Sequence, residues 1–425
     1  MTRPGPFPVP FAPLHLLAFL GLLGSLACEG QPGSGAQVER RDSAGIEIIL
    51  SDSPGWEGEE GLELDTRSVL RIGTAMGEEP YLFSGPLRAV HLSSGATVVL
   101  DEELDQLRWF DAAGRHVRSV GRSGEGPGEF VHPNALLLLP ADSLLVFDEA
   151  HPRLTLYDSV GNLAGTWSLE PPPAEMTGHI HYHRPAPFGR LADGRTLHLA
   201  SRSQGRMGLV RRTAVVLAFD KTGRWLGPLL EFPGGDWWME RILGGIRSRI
   251  RGAADRKAQA ATDGNVVYAG NGDEYRIRAY GSDGALDRIL GRTVDPTPAS
   301  RAQVDSALAG WRAEAPDLSP EEERQFERRL SQVERQWEEH LADHETMPAF
   351  HGLRTDGAER LWVRTSYHEY HYDVFSPRGV WLGTLHLPAE PLFLGEGEVI
   401  LTDRDSLGTP FVEIVPLVSS SENVF

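Results

Sequence analysis

Apolar and polar residues alternate along most of the chain in short runs that end at turn-forming residues. Five of these runs align on a glycine, with an aromatic residue four positions before it and an apolar residue before the aromatic. The aligned glycines are Gly114, Gly161, Gly223, Gly284 and Gly379, and the aromatics are Phe110, Tyr157, Phe219, Tyr280 and Phe375. Alternation with period two predicts a strand, and a glycine with positive φ closes a hairpin after it.

A second turn signal, followed by another apolar run, lies upstream of each aligned hairpin. These turns are centred on Gly95, Asp142, Gly194, Gly264 and Gly357. The repeating unit is therefore strand, turn, strand, loop, strand, turn, strand. Four antiparallel strands in a unit of about 40 to 50 residues are typical of one blade of a β-propeller.

Five units are explicit, and the segment from Leu392 onward supplies three strands of a sixth. The apolar run Gly45 to Leu50 is expected to complete that sheet and close the ring, because closure removes open sheet edges. We therefore predict an all-β fold, a six-bladed β-propeller of four-stranded antiparallel blades, over residues 38–418. Residues 419–425 are a C-terminal tail.

The pattern changes to a helical period between residues 296 and 345. Ser319, Pro320 and Glu322 form a capping box, and apolar residues then recur every three or four positions, which predicts a helix of about 24 residues. A shorter helix over 300–313 is its expected partner in an inserted α-helical hairpin. We favour a hairpin that packs on itself and on the blades; the alternatives are a lid over the axial pocket and a partner-docking arm.

The N-terminal region reads as a targeting segment. The apolar run from Leu14 to Ala27 is too short for a transmembrane helix and ends directly at Cys28. Small Ala27 before this lone cysteine resembles the lipobox of bacterial lipoproteins, in which the cysteine becomes the lipid-modified N-terminus. We predict a signal peptide over 1–28, a flexible tether over 29–37, and lipid anchoring in the bacterial cell envelope, at the outer membrane.

Two segments carry a resemblance to a known family. GRSGEGPGEF (Gly121 to Phe130), which leads into a first strand, resembles the NHL-type six-bladed β-propellers, and RDSAGIEII (Arg41 to Ile49) is similar to a bacterial lipoprotein group within them. A looser copy, RIGTAMGEEPYLF, spans Arg71 to Phe83. The resemblance implies fold and location but no single chemistry, because propellers serve both as binding modules and as enzymes.

The amino-acid composition limits which partners and which cysteine-based sites the chain can have. Lys and Arg total 41 against 60 Asp and Glu, a formal net charge of -19, which disfavours binding to nucleic acid. One cysteine excludes an internal disulfide framework and any multi-cysteine zinc site.

Candidate ligand or metal residues are those expected where the first strands converge on the axis. They are His132, His179, His181, His183, Arg184, Arg256, Lys257 and His351. Three imidazoles at positions 179, 181 and 183 share one face of an extended strand and can hold one Zn²⁺ or Cu²⁺, although a histidine-rich strand without metal is the more frequent case. Oxygen ligands for Ca²⁺ are available on Asn134, Asp255 and Glu79, but no spacing selects them.

These features favour a non-catalytic, lipid-anchored propeller that binds a peptide, glycan or protein partner in the cell envelope. The alternative is a metal-dependent hydrolase or lyase with Zn²⁺ or Ca²⁺ on the axis, held by His132, His181, His183 and His351. A structural or assembly role is the third hypothesis. No motif identifies a catalytic residue.

Overall fold

The computed structural model describes residues 37–56, 61–67, 69–173, 180–181, 186–202, 208–242, 245–249, 254–313, 319–341, 343–367 and 369–419. Most of these residues form six β-sheets, and consecutive sheets pack against each other through apolar clusters. The chain is a six-bladed β-propeller, as the repeat predicts.

The strands follow one another in chain order, blade by blade. Before the first blade lie β1 (Val38–Ser43), β2 (Ile46–Ser51), β3 (Leu62–Leu64) and β4 (Leu70–Ile72). Blade one contains β5 (Leu87–His91), β6 (Thr97–Asp101), β7 (Gln106–Phe110) and β8 (His116–Val120), and blade two contains β9 (Pro133–Leu139), β10 (Ser143–Asp148), β11 (Arg153–Tyr157) and β12 (Leu163–Ser168). Blade three contains β13 (Ile180–His181), β14 (Pro187–Arg190), β15 (Thr196–Arg202), β16 (Gly208–Phe219), β17 (Trp225–Ile242) and β18 (Gly245–Arg249).

The second half of the ring repeats the plan. Blade four contains β19 (Gln259–Thr262), β20 (Val267–Gly270), β21 (Arg276–Tyr280) and β22 (Leu286–Arg292). Blade five contains β23 (Gly352–Thr355), β24 (Leu361–Arg364), β25 (Tyr370–Phe375) and β26 (Trp381–Leu387), and blade six contains β27 (Pro391–Leu394), β28 (Glu398–Arg404) and β29 (Pro410–Ser419). Single-turn 3₁₀ helices span Glu79–Tyr81 and Pro140–Asp142.

The predicted hairpins join the third and fourth strands of blades one to five. In blade one, Gly114 has a φ of 74°, and Asp111 Oδ1 accepts the N–H groups of Ala113 and Arg115 at 3.0 and 2.9 Å. The other four aligned glycines also have positive φ. The aromatic residue before each turn ends the third strand and is buried between blades, so the repeat records one turn and one core position per blade.

The strand that closes the ring is not the one predicted from the sequence. The run Gly45 to Leu50 forms β2, which pairs in parallel with β22 and extends blade four to six strands together with β1. Blade six is completed by β4, which pairs antiparallel with β29 through Ile72 and Val412. Connectivity explains the difference, because β4 leads into β5 just as the outer strand of each blade leads into the next blade.

Two buried arginines hydrogen-bond the loop at 121–130 and its looser copy at 71–83. Arg153 of β11 donates to the carbonyl of Glu125 at 2.7 Å and to that of Glu129, so the 121–130 loop wraps around its guanidinium. Arg108 of β7 donates to the carbonyl of Leu82 at 2.7 Å. The 71–83 segment is therefore the structural counterpart of the 121–130 loop, one blade earlier.

The insertion forms two helices, α1 (Arg301–Ala313) and α2 (Pro320–Leu341), as predicted. The N–H of Ser319 donates to Glu322 Oε2 at 2.9 Å, which is half of the expected capping box. Val304, Leu308, Leu330 and Trp337 form the buried core of this pair. Among the described residues no helix is long and apolar enough to cross a membrane.

Ile72 tests the assignment of the closing strand. Its side chain is 1% exposed and packs in the cluster between blades six and one, so Ile72→Ala should lower the free energy of unfolding by about 2–5 kcal/mol. Val117→Ala, at an exposed position on the outer strand β8, should change it by less than about 0.5 kcal/mol. Urea denaturation of both variants measures the difference; equal stabilities would contradict closure by β4.

Candidate functional site

The six first strands enclose an axial cavity of about 980 Å³. Each of these strands forms the edge of its sheet. The cavity wall therefore presents unpaired backbone N–H and C=O groups as well as side chains. Apolar side chains from three blades form much of the wall: Leu136, Leu137, Leu138, Phe188, Leu392 and Phe393. Polar and charged side chains interrupt it: Arg190, Gln259, Thr262, Asp263, His351, Arg354, Thr355, Asp356, Arg364, Tyr372 and Glu390.

A cluster of ionisable groups lies on the side of blades five and six. Arg354 Nη2 donates to Glu390 Oε1 at 3.1 Å, and Tyr372 lines the same part of the wall. Burial raises the pKa of Tyr372 above its ordinary value, an effect that the nearby charges of Arg354 and Arg364 oppose. The phenol therefore stays protonated at neutral pH and can donate a hydrogen bond.

Two cavity arginines hydrogen-bond backbone carbonyls, and no ion pair of either is found in the described part of the chain. Arg364 donates to the carbonyls of Tyr367 and Glu369 at 3.1 and 3.3 Å, and Arg190 donates through Nε to the carbonyl of Gly194 at 3.0 Å. Burial lowers the pKa of Arg190, although a guanidinium remains charged at neutral pH.

The aspartates of the wall serve local turns. Asp263 Oδ1 accepts the N–H groups of Asn265 and Val266, both at 2.8 Å. Asp356 Oδ2 accepts from Arg360 Nε at 2.6 Å and from the indole of Trp362 at 2.7 Å. Both carboxylates are thus hydrogen-bonded within their own turns, and Asp356 is also ion-paired with Arg360.

His351 and Lys257 meet at Tyr367, next to the start of β23. The ring of Tyr367 lies 5.4 Å from that of His351, 4.9 Å from Lys257 Nζ and 5.9 Å from the indole of Trp337. His351 lines the cavity and Trp337 belongs to α2, so Tyr367 connects the helical insertion to the cavity wall. These contacts pack the insertion against a blade, and the apolar core between its two helices packs it on itself, as favoured from the sequence.

Arg256 lies in a buried polar network that also holds the end of the insertion. Its Nη2 donates to Thr346 Oγ1 at 2.9 Å, its Nη1 lies 3.1 Å from His344 Nδ1, and its Nε lies 3.3 Å from Asp273 Oδ1. Asp255 Oδ1 contacts the other ring nitrogen of His344 at 2.8 Å. Arg256 is absent from the described cavity wall, and these contacts give it an anchoring role.

The remaining predicted ligands are dispersed. His132 precedes β9 and lies 3.5 Å from Glu149 Oε2, which also accepts from Asn134 Nδ2 at 2.6 Å. His132 belongs to blade two and His351 to blade five, which face each other across a six-bladed ring. Glu79 Oε1 lies 3.4 Å from Arg108.

Part of the histidine run cannot be placed. The backbone of His181 pairs in β13, whereas its side chain and the whole of His179, His183, Arg184 and Cys28 lie outside the described residues. Within the described part of the chain, no three His, Cys, Asp or Glu side chains are grouped to hold a metal ion. The Zn²⁺ or Ca²⁺ site therefore stays a prediction.

Four charged residues of the wall were not predicted from the sequence: Arg190, Arg354, Arg364 and Glu390. A signal for two of them exists: Arg190 and Arg354 stand shortly before the first turn of their blades, in GRLADG and LRTDG. An arginine so close to the end of a first strand is placed to border the axis.

Several solved structures are similar in fold. They include a Bacteroides fragilis protein thought to be exported (12% identity over 86% of this chain and 97% of that chain, TM-score 0.44) and a member of the DUF4221 family from Bacteroides vulgatus (9%, 85% and 99%, 0.42). Virginiamycin B lyase from Staphylococcus aureus is a third (8%, 84% and 100%, 0.38). Likenesses of this degree carry no conclusion about activity. No protein-family model and no curated protein matches the chain.

Arg256 offers a test of the anchoring role. Arg256→Met removes the hydrogen bonds to Thr346 Oγ1 and the Ala254 carbonyl and the contacts with His344 and Asp273, and should lower the free energy of unfolding by about 1–3 kcal/mol. Lys257→Met, at the half-buried neighbouring position, loses mainly a cation–π contact and should cost less than about 1 kcal/mol. Thermal and urea unfolding compare the two; an Arg256 variant as stable as the Lys257 variant would refute the anchor.

Proposed function

We propose that this protein is a lipid-anchored β-propeller of the bacterial cell envelope that binds a peptide, glycan or protein partner through its axial cavity, without catalysing a reaction. The observation that carries the proposal is the cavity itself. Its volume of about 980 Å³ lies at the upper end of the range of ligand pockets, and its wall combines apolar side chains with a few placed polar groups.

The wall suits an extended or ring-shaped ligand. The edge strands supply backbone donors and acceptors, as in proteins that add a peptide strand to a sheet. Phe188 and Phe393 supply aromatic surface that can pack on a sugar ring or an apolar side chain. The hydrogen bond between Arg354 and Glu390 holds both side chains in place. Such preorganisation lowers the entropic cost of binding a ligand.

The proposed location rests on the sequence. The apolar run from Leu14 to Ala27 followed by Cys28 supports export and lipid modification, and the short segment after it supports a tether between lipid and propeller. The proposed location of the lipid anchor is the outer membrane, with the propeller in the periplasm or at the cell surface.

A filled cavity tests the binding role. Ala260 lines the cavity and is half-buried, so Ala260→Trp should occupy the axis while leaving the adjacent core residue Ala261 in place. We expect the protein from residue 29 to retain ligands from a random hexapeptide pool or a chito-oligosaccharide pool in gel filtration followed by mass spectrometry. The filled variant should retain at least tenfold less of them, because the indole excludes ligand from the space they need.

Ala113→Trp, at an exposed turn of blade one, is the matched control and should retain as much ligand as the parent protein. Equal retention by both tryptophan variants would show that the cavity is not the binding site. Failure of the parent protein to retain any member of either pool would also count against the proposal.

Cys28 tests the anchor. In a bacterial host grown with radiolabelled palmitate, the full chain should incorporate label, and Cys28→Ala should lose it because the chain has no other cysteine to receive the lipid. The variant should also accumulate as the uncleaved precursor on gels. Label that persists in Cys28→Ala would refute lipid attachment at this residue.

A further inference from the structure

Arg190 and Arg364 are cavity arginines that form no ion pair with the described residues; Asp193, whose charge acts on Arg190, is itself paired with Arg195. Both Arg190 and Arg364 line the cavity, and both hydrogen-bond backbone carbonyls. Among the described residues no carboxylate lies within ion-pair distance of either side chain, although Asp and Glu outnumber Lys and Arg by 60 to 41 in the chain. A carbonyl dipole satisfies a donor but does not neutralise a guanidinium.

The carboxylates of the wall are otherwise engaged. Asp263 and Asp356 accept hydrogen bonds from their own turns, and Glu390 pairs with Arg354. The described hydrogen bonds use Nε of Arg190 and Nε and Nη2 of Arg364, which leaves Nη donors on each; the Arg364 guanidinium also lies 4.6 Å from the centre of the Tyr370 ring. A guanidinium fork of this kind binds a carboxylate or a phosphate in two-pronged fashion.

The two arginines belong to different blades. Arg190 ends β14 in blade three, and Arg364 ends β24 in blade five. Apolar side chains such as Phe188, Leu392 and Phe393 occupy other parts of the wall. A fitting ligand therefore has an apolar body and an anionic group.

We propose that the axial cavity binds an amphipathic anion, a molecule with an apolar body and a carboxylate or phosphate group that pairs with Arg364 or Arg190. This inference rests on the proposed function, since it names the ligand class of the same cavity. Arg354 is not the anchor, because Glu390 already holds it.

Two fluorescent probes that differ in charge test the inference. 8-Anilinonaphthalene-1-sulfonate carries an apolar body and an anionic group, and N-phenyl-1-naphthylamine is its neutral counterpart. We expect the sulfonate to bind once per chain, and Arg364→Gln and Arg190→Gln to weaken it, by about tenfold for the arginine that makes the contact. The neutral probe should bind all of these variants within about twofold of the parent affinity.

Arg118→Gln is the matched control, because Arg118 also bonds a backbone carbonyl, that of Val160, but lies outside the cavity on β8. Arg364→Lys keeps the charge and should lose less affinity than Arg364→Gln, which also guards against a fold defect in the glutamine variant. Displacement by decanoate, decyl phosphate and decanol then separates carboxylate from phosphate, with the alcohol as the neutral reference.

The outcomes separate this inference from the proposed function. If Ala260→Trp excludes the neutral probe but neither arginine variant weakens binding of the sulfonate, the cavity binds ligands and the proposed anionic class is wrong. If Ala260→Trp excludes neither probe, the cavity is not a ligand site and both proposals fail. Weakening of the sulfonate by Arg118→Gln to the same degree would also overturn the inference, because it would reveal a surface effect.

Discussion

Pairing of β4 with β29 is the interaction on which the rest of the structure depends. Blades one, two, three and five are built from consecutive strands, and blade four adds β1 and β2 to its own four strands, but blade six takes its outer strand from residues that precede blade one. This pairing removes the open edges that a linear array of six sheets would leave. The axial cavity follows from it, since six first strands surround one space only while the ring is closed.

The helical insertion is tied to the same ring at two points of different chemistry. One is the buried network in which Arg256, His344 and Asp255 meet, and the other is the aromatic contact of Trp337 with Tyr367. The polar network demands a specific geometry, because each partner lost would leave a buried charge or donor unsatisfied. The aromatic contact adds apolar burial beside the cavity wall. Together they hold the α1–α2 pair next to blades four and five.

Much of the fold could be predicted from the sequence because its signals are local. A glycine and, in most of the turns, an aspartate define each hairpin within a few residues, and the capping box at Ser319 does the same for α2. The closing strand could not be predicted in this way. Residues 46–51 are more apolar than Leu70 to Ile72, yet β4 closes the ring because of its connection to β5, a relation that no local pattern contains.

The candidate site was harder to predict for a related reason. Histidines are easily chosen as candidate ligands because an imidazole can bind a metal. Arg190 and Arg364, in contrast, have the sequence context of solvent-exposed charges on short strands. Their position on the cavity wall depends on how blades pack around the axis, a relation between residues distant in sequence.

The contrast between the acidic chain and its cavity arginines has a physical consequence. A net charge of -19 acts over distance, but at physiological ionic strength it is screened beyond about 8 Å. Inside the cavity the nearest charges decide, and apolar walls limit screening there. At long range this net charge opposes the approach of a polyanion, whereas Arg190, Arg354 and Arg364 lie on the cavity wall. A chain that is acidic overall can thus place arginines on the wall of its central cavity.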